Sequence, residues 1–170
     1  MSPSITAVAP EALHIDASRK DLTGYLHFIW NTYFSDTPRI NEVYIAYSYP
    51  WKSRLGLIRL SPDNVVTYIG INSLLQHPLV PDYVLLTTIA HEVVHYIHGF
   101  GSPLPRCYKH PHANKVVDRE LEARKLGEPL QYCNEWIDKH WYSFYDKQRA
   151  SGWSGLVKAR GSYDSHLISS

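Results

Sequence analysis

Apolar positions change period several times along the chain, and each change marks an element. Over residues 18–34, Leu22, Tyr25, Leu26, Ile29, Trp30 and Tyr33 recur every three or four positions, which puts them on one side of a helix. Ser18 and Asp21 stand where a capping box opens such a helix, and Pro38 prevents its continuation. From Glu42 to Ser48 the alternation is that of a half-buried strand. Two more strand-like runs follow at 55–60 and 65–71, separated by the turn residues Pro62, Asp63 and Asn64. Connections this short predict an antiparallel meander, and residues 72–76 are long enough for one helical turn.

The helical period returns with Val84, Leu85, Ile89, Val93 and Ile97, between start signals at Pro81 and Asp82 and a stop at Gly99. After an irregular stretch at 100–109, Pro111 fits the first position of another helix, with Val116, Val117, Leu121, Ala123 and Leu126 apolar and Gly127 as its stop. A last helix is predicted from about residue 130 to 149, carrying Trp136, Ile137, Trp141, Phe144 and Tyr145. The expected fold is therefore α+β: an N-terminal helix, a three-stranded antiparallel sheet, a central helix and C-terminal helices. Residues 18–150 form one domain in this reading, with 1–17 a flexible lead-in and 151–170 a flexible or surface-draped tail.

Composition narrows the function classes. A 170-residue chain that is 44% hydrophobic can bury one core without staples. Its net charge of +1 gives no broad electrostatic footprint for nucleic acid, so any such binding is expected to be weak. Cys107 and Cys133 are the only cysteines, which excludes both a disulfide framework and a four-cysteine zinc ribbon. No run approaches the ~18 apolar residues of a membrane span, and the N-terminal stretch lacks the layout of a signal peptide. The expectation is a cytoplasmic monomer with no membrane partner. Thirteen Tyr and five Trp imply ring-lined surfaces as well as aromatic core packing.

The chemistry lies in His91-Glu92-Val93-Val94-His95. On a helix, residues i and i+4 stand one above the other, so both imidazoles can converge on one ion while Glu92 stays beside it without ligating. In this HExxH arrangement two neutral histidines hold Zn²⁺, and the glutamate takes a proton from the water that the ion activates. His98 is seven residues from His91, about 10 Å along the axis, and too far to join the same site.

A catalytic zinc needs three protein ligands. Glu120, followed three residues later by Ala123, has the glutamate-helix pattern of gluzincins, and His110 and His112 offer imidazoles where the chain returns from the loop. If the helix starts near Pro111, then His112, Val116, Glu120 and Ala123 share one face, with His112 and Glu120 about 12 Å apart, so only one of the two reaches the ion.

The order helix, three short strands, HExxH helix, loop, then His112-Ala113-Asn114-Lys115-Val116 resembles the SprT-like zinc metallopeptidases, which include the Spartan and Wss1 type proteases. The resemblance runs over about residues 20–127 and extends to the Arg54 to Arg59 stretch. It implies a zincin (minigluzincin-like) fold, zinc held by His91, His95 and His112 ahead of Glu120 and His110, and hydrolysis of peptide bonds with Glu92 as general base. Protein or peptide would be the substrate. The zinc ribbon often found after such domains is absent, as is a long basic tail, so dependence on DNA is not implied. An extended peptide can add to a sheet edge beside the cleft, and 65–71 is the strand expected to offer it. A different class remains open, a zinc-containing nucleic-acid-associated or partner-binding module without protease activity; the intact Glu92 argues against it, because a structural site needs no base. Tyr108 could donate to an oxyanion, but packing is the simpler role, and the charged residues Arg119, Glu122, Arg124 and Lys125 read as a solvated helix face.

Overall fold

A computed structural model describes residues 20–152, so Ser18, the lead-in and all but the first two residues of the tail lie outside the described chain. Helix α1 is Leu22–Tyr33, with Asp21 in the cap position, and it buries Leu22, Tyr25, Leu26, Ile29 and Trp30 along the predicted face. Trp30 Nε1 donates to the Thr37 carbonyl at 2.8 Å, which folds the chain back after the helix ends.

Strands β1 (Glu42–Ser48), β2 (Gly56–Leu60) and β3 (Val66–Asn72) form one sheet in the order β1-β3-β2. The sheet is mixed, which corrects the antiparallel expectation. β2 and β3 are an antiparallel hairpin, but β1 runs parallel to β3 from Glu42↔Val66 to Ser48↔Asn72. The hairpin follows from its turn chemistry: Asp63 accepts from Ser61 Oγ at 2.6 Å and from the Val65 amide at 3.1 Å, while Asn64 takes the left-handed conformation (φ 64°) that asparagine tolerates. The parallel pair follows from a buried asparagine. Asn72 Nδ2 donates to the Trp51 and Arg54 carbonyls, both at 2.8 Å, and the Asn72 amide donates to the Leu55 carbonyl at 2.8 Å. These bonds carry the β1–β2 connection across the end of β3 and lay β2 on its far side. Strand β3, expected as the cleft edge, is thus the central strand, and β2 is the edge.

Helix α2 (Asp82–Ile97) is the hub of the molecule, buried on nearly every side from Val84 to Tyr96. It packs against α1, the sheet and the C-terminal helices. Its stop is the predicted Gly99, at φ 79°. There the Gly99 amide bonds to the Tyr96 carbonyl at 3.1 Å, and the Phe100 amide bonds to the His95 carbonyl at 2.9 Å, a Schellman motif. A side chain at position 99 would also collide with the Pro105 carbonyl.

The C-terminal part departs from expectation in two places. Helix α3 is Val116–Ala123 and does not begin at Pro111, because Asn114 (φ 52°) and Lys115 (φ 55°) are both left-handed and break any continuous helix from 111. Gly127 is no stop either; it is the first residue of α4 (Gly127–Trp136). The α3 stop is a second Schellman motif, with left-handed Lys125 in the usual glycine position and the Leu126 amide bonded to the Leu121 carbonyl at 2.8 Å. Beyond α4 a π turn at Ile137–Trp141 leads into α5 (Tyr142–Ser151), so the single predicted helix is interrupted. The extra residue turns Trp141 into the core, where its Nε1 donates to the Lys52 carbonyl at 2.7 Å.

Candidate metal centre

His91 and His95 come one turn apart on α2, as the i, i+4 spacing requires, with ring centroids 4.7 Å apart. His112 arrives from a different segment. The two left-handed residues after it reverse the chain, so His112 reaches back over α2 while Val116, Val117 and Leu121 turn inward. Lys115 carries this conformation at a steric cost of roughly 1–2 kcal/mol, which the burial of that apolar face offsets.

His112 Nε2 lies 3.1 Å from His91 Nε2 and 3.0 Å from His95 Nε2. A neutral imidazole nitrogen has either one proton or one lone pair, so His112 Nε2 can satisfy at most one of these contacts as a hydrogen bond. Two nitrogens bound to one tetrahedral zinc at 2.0–2.1 Å stand about 3.3 Å apart, close to the observed spacing. The three side chains therefore form a group that could hold a metal ion. Burial, helped by the other imidazoles, pushes His91 down to about 4 and His95 down to about 3. Both are neutral at pH 7, the state in which imidazole binds a metal. His95 Nδ1 is buried and has no hydrogen-bond partner among the described residues.

Glu92 is 4% exposed and packs under β2: a β-carbon on Gly56 would stand 2.7 Å from Glu92 Oε1. That glycine lets the edge strand pass directly over the carboxylate. Burial pushes Glu92 up to about 8, opposed by the positive charge of Arg54. A divalent cation beside it favours the ionised form.

These groups line a cleft of about 690 Å³ between β2, α2, the Phe100–Gly101 corner, the His112 segment and α4. The remaining sequence candidates lie elsewhere. Glu120 Oε1 accepts from Arg124 Nε at 2.9 Å and its Oε2 is 4.0 Å from His98 Nε2, so this carboxylate faces away from the three-histidine group. His110 is exposed and does not join it, and Tyr108 packs its ring against His98 at 4.9 Å. Arg124 corrects the reading of a solvated face: it is largely buried, donates to the Tyr33 carbonyl at 2.8 Å and grips Asp36 with two bonds of 2.7 and 3.0 Å. Sequence reasoning did not assign Leu130, Cys133 and Ile137 to the cleft, and no local signal could, because α4 meets the site only through tertiary packing. No protein-family model matches the chain, and no curated protein matches it.

Proposed function

We propose that the chain is a zinc-dependent endopeptidase of the SprT-like type, with His91, His95 and His112 as the metal ligands and Glu92 as general base. The observation that carries this reading is the convergence of three Nε2 atoms within 3.0–3.1 Å contacts beside a buried glutamate that ligates nothing. A bound zinc would polarise the scissile carbonyl and lower the pKa of water from its bulk value toward about 7. The chain's own contribution is positional. His91 and His95 are fixed by a helix with its C-terminus locked at Gly99, and the reversal at Asn114 and Lys115 supplies His112 from across the cleft. Glu92 takes the water proton on a carboxylate oxygen and returns it to the leaving amine; its burial favours the first step, because a carboxylate with a raised pKa is a stronger base.

The edge strand β2 offers main-chain hydrogen bonds to an extended peptide, with Gly56 bringing it close above Glu92. That replaces the 65–71 strand as the peptide-binding edge. The test is turnover of an unfolded protein by zinc-loaded chain. Cleavage that vanishes on chelation and returns with zinc is the expected result; equal cleavage in excess chelator contradicts it.

A further inference from the structure

Arginines stand at both ends of the cleft, and each is held on an aromatic ring. At the Gly56 end, Arg54 lines the cleft with its guanidinium 5.8 Å from the centre of the Trp51 ring. At the other end Phe100 and Gly101 line the cleft, and the Arg106 guanidinium lies 5.1 Å from the centre of the Phe100 ring. Arg106 also lines a second recess, of about 580 Å³, which shares Ile58, Arg59 and Gly101 with the cleft. Both backbones are anchored to the elements that build the site. The Arg54 carbonyl accepts from the buried Asn72 Nδ2 at 2.8 Å. Arg106 lies between Pro105, whose carbonyl packs on Gly99, and Cys107, whose amide donates to the His98 carbonyl at 3.0 Å. Stacking on a ring preorganises a guanidinium and leaves its fork of N–H donors for a carboxylate.

Both arginines are exposed, and among the described residues neither is in an ion pair. Arg59, on β2 between them, lines both spaces but has a contact of its own. The carboxylates lining the cleft are Glu92, which is buried, and Asp118, which is half-buried on α3 and not on the β2 edge. The net charge of +1 for the whole chain therefore hides a local excess of positive charge along that edge. The spacing suits an extended chain. Ile58 meets Gly101 at the Arg106 end, about four residues on from Arg54, or roughly 13 Å at the rise of a strand. Gly56, above Glu92, falls within that span, so a peptide on this edge presents its cleaved bond between the two guanidinium groups. Resting on the peptidase reading, we propose that the cleft selects acidic segments: extended peptides with Asp or Glu on each side of the cleaved bond, one carboxylate meeting Arg54 and the other Arg106.

Two arms test this with the full chain. Short peptides that differ only in carrying a pair of Glu, Gln or Lys about four positions apart are titrated against the Glu92→Gln variant by fluorescence anisotropy, at low and at high salt. Cleavage sites in an unfolded protein are mapped by mass spectrometry with the zinc-loaded wild type. The Glu pair should bind about tenfold tighter than the Gln pair at low salt, the Lys pair should bind weakest, and high salt should erase most of the difference. Arg54→Gln and Arg106→Gln should each remove about threefold of the preference, and the mapped sites should carry acidic residues on both sides of the bond. Equal binding of the three peptides, a preference that survives high salt, or one untouched by both substitutions overturns the inference. So does a single-stranded oligonucleotide that binds these two arginines more tightly than the Glu peptide, which would assign them to phosphates. Cleavage without acidic selection overturns the inference and leaves the peptidase reading standing. Acid-selective binding with no cleavage by the wild type keeps the charge selection and overturns the peptidase reading. Neither selectivity nor cleavage overturns both.

Discussion

Helix α2 carries two clusters in which histidine meets groups from the His112-to-Arg124 segment, and they differ in what their Nε2 atoms face. At His91 and His95 the Nε2 atoms face a third imidazole, and among the described residues no carboxylate forms an ion pair with any of the three. At His98 the Nε2 faces the Glu120 carboxylate at 4.0 Å, and that carboxylate is gripped by Arg124, which also ties Asp36 and the end of α1. The second cluster is a tether closed by opposite charges within the protein. The first is a set of three ring nitrogens whose contacts with one another cannot all be hydrogen bonds, which is the arrangement a cation completes. A His–Glu pair near the HExxH helix is therefore no sign of a ligand by itself; what separates the two clusters is whether the protein satisfies them.

The comparison breaks most sharply at Glu92. Glu92→Gln keeps the shape and removes the base, so proteolysis should fall by about 10²-fold or more while zinc content and melting temperature change little. Undiminished turnover by a zinc-replete mutant ends the proposed mechanism. At the tether the opposite pattern is expected. Arg124→Met should leave zinc content intact and lower stability by about 1–3 kcal/mol, because it strands Glu120 and the Tyr33 carbonyl; chemical denaturation measures it, and loss of zinc instead would merge the two clusters into one.

A smaller effect concerns metal-free protein and pH. Folding lowers His91 and His95 below 6.5, so the unfolded chain binds more protons and stability falls as pH drops below about 6.5. Folding raises Glu92 from 4.5 to about 8, so the folded chain holds the extra proton and stability falls as pH rises toward 8. Of these three groups only Glu92 acts between pH 6.5 and 8, with a slope of at most about 1.4 kcal/mol per pH unit. Urea titrations of chelated protein should therefore show a decline from pH 6.5 to 8 that Glu92→Gln removes. Smallest of all is nucleic acid: a chain of net charge +1 should bind single-stranded DNA at micromolar affinity or weaker with a shallow salt slope, and proteolysis should not require it. Anisotropy across salt concentrations checks the first, and nanomolar binding would show that composition misleads here.

The parts legible in the sequence were those set by local pattern. The i, i+4 histidines, the Gly99 stop and the Pro62–Asp63–Asn64 turn each follow from a few adjacent residues, and the chain folds them as expected. Sheet order was not legible, because it depends on the buried Asn72 amide reaching Trp51 and Arg54, a contact no alternation announces. The start of α3 is not legible because Lys115 takes a conformation its side chain disfavours, and Gly127 carries the pattern of a stop while Lys125 fills the place where glycine is the usual sign. The sequence offers His112 beside Glu120 and His110, and only the family resemblance ranks it first; the helix from Pro111 that the spacing suggests does not form, and His112 joins His91 and His95 through the reversal at Asn114 and Lys115.

The most direct test of the two-cluster account is zinc content by elemental analysis, on protein loaded with zinc and dialysed, for the wild type, His112→Ala and Glu120→Ala side by side. The account predicts one zinc per chain in the wild type and in Glu120→Ala, and loss of most of it in His112→Ala. Retention by His112→Ala with loss in Glu120→Ala, or no zinc in the wild type, would contradict it.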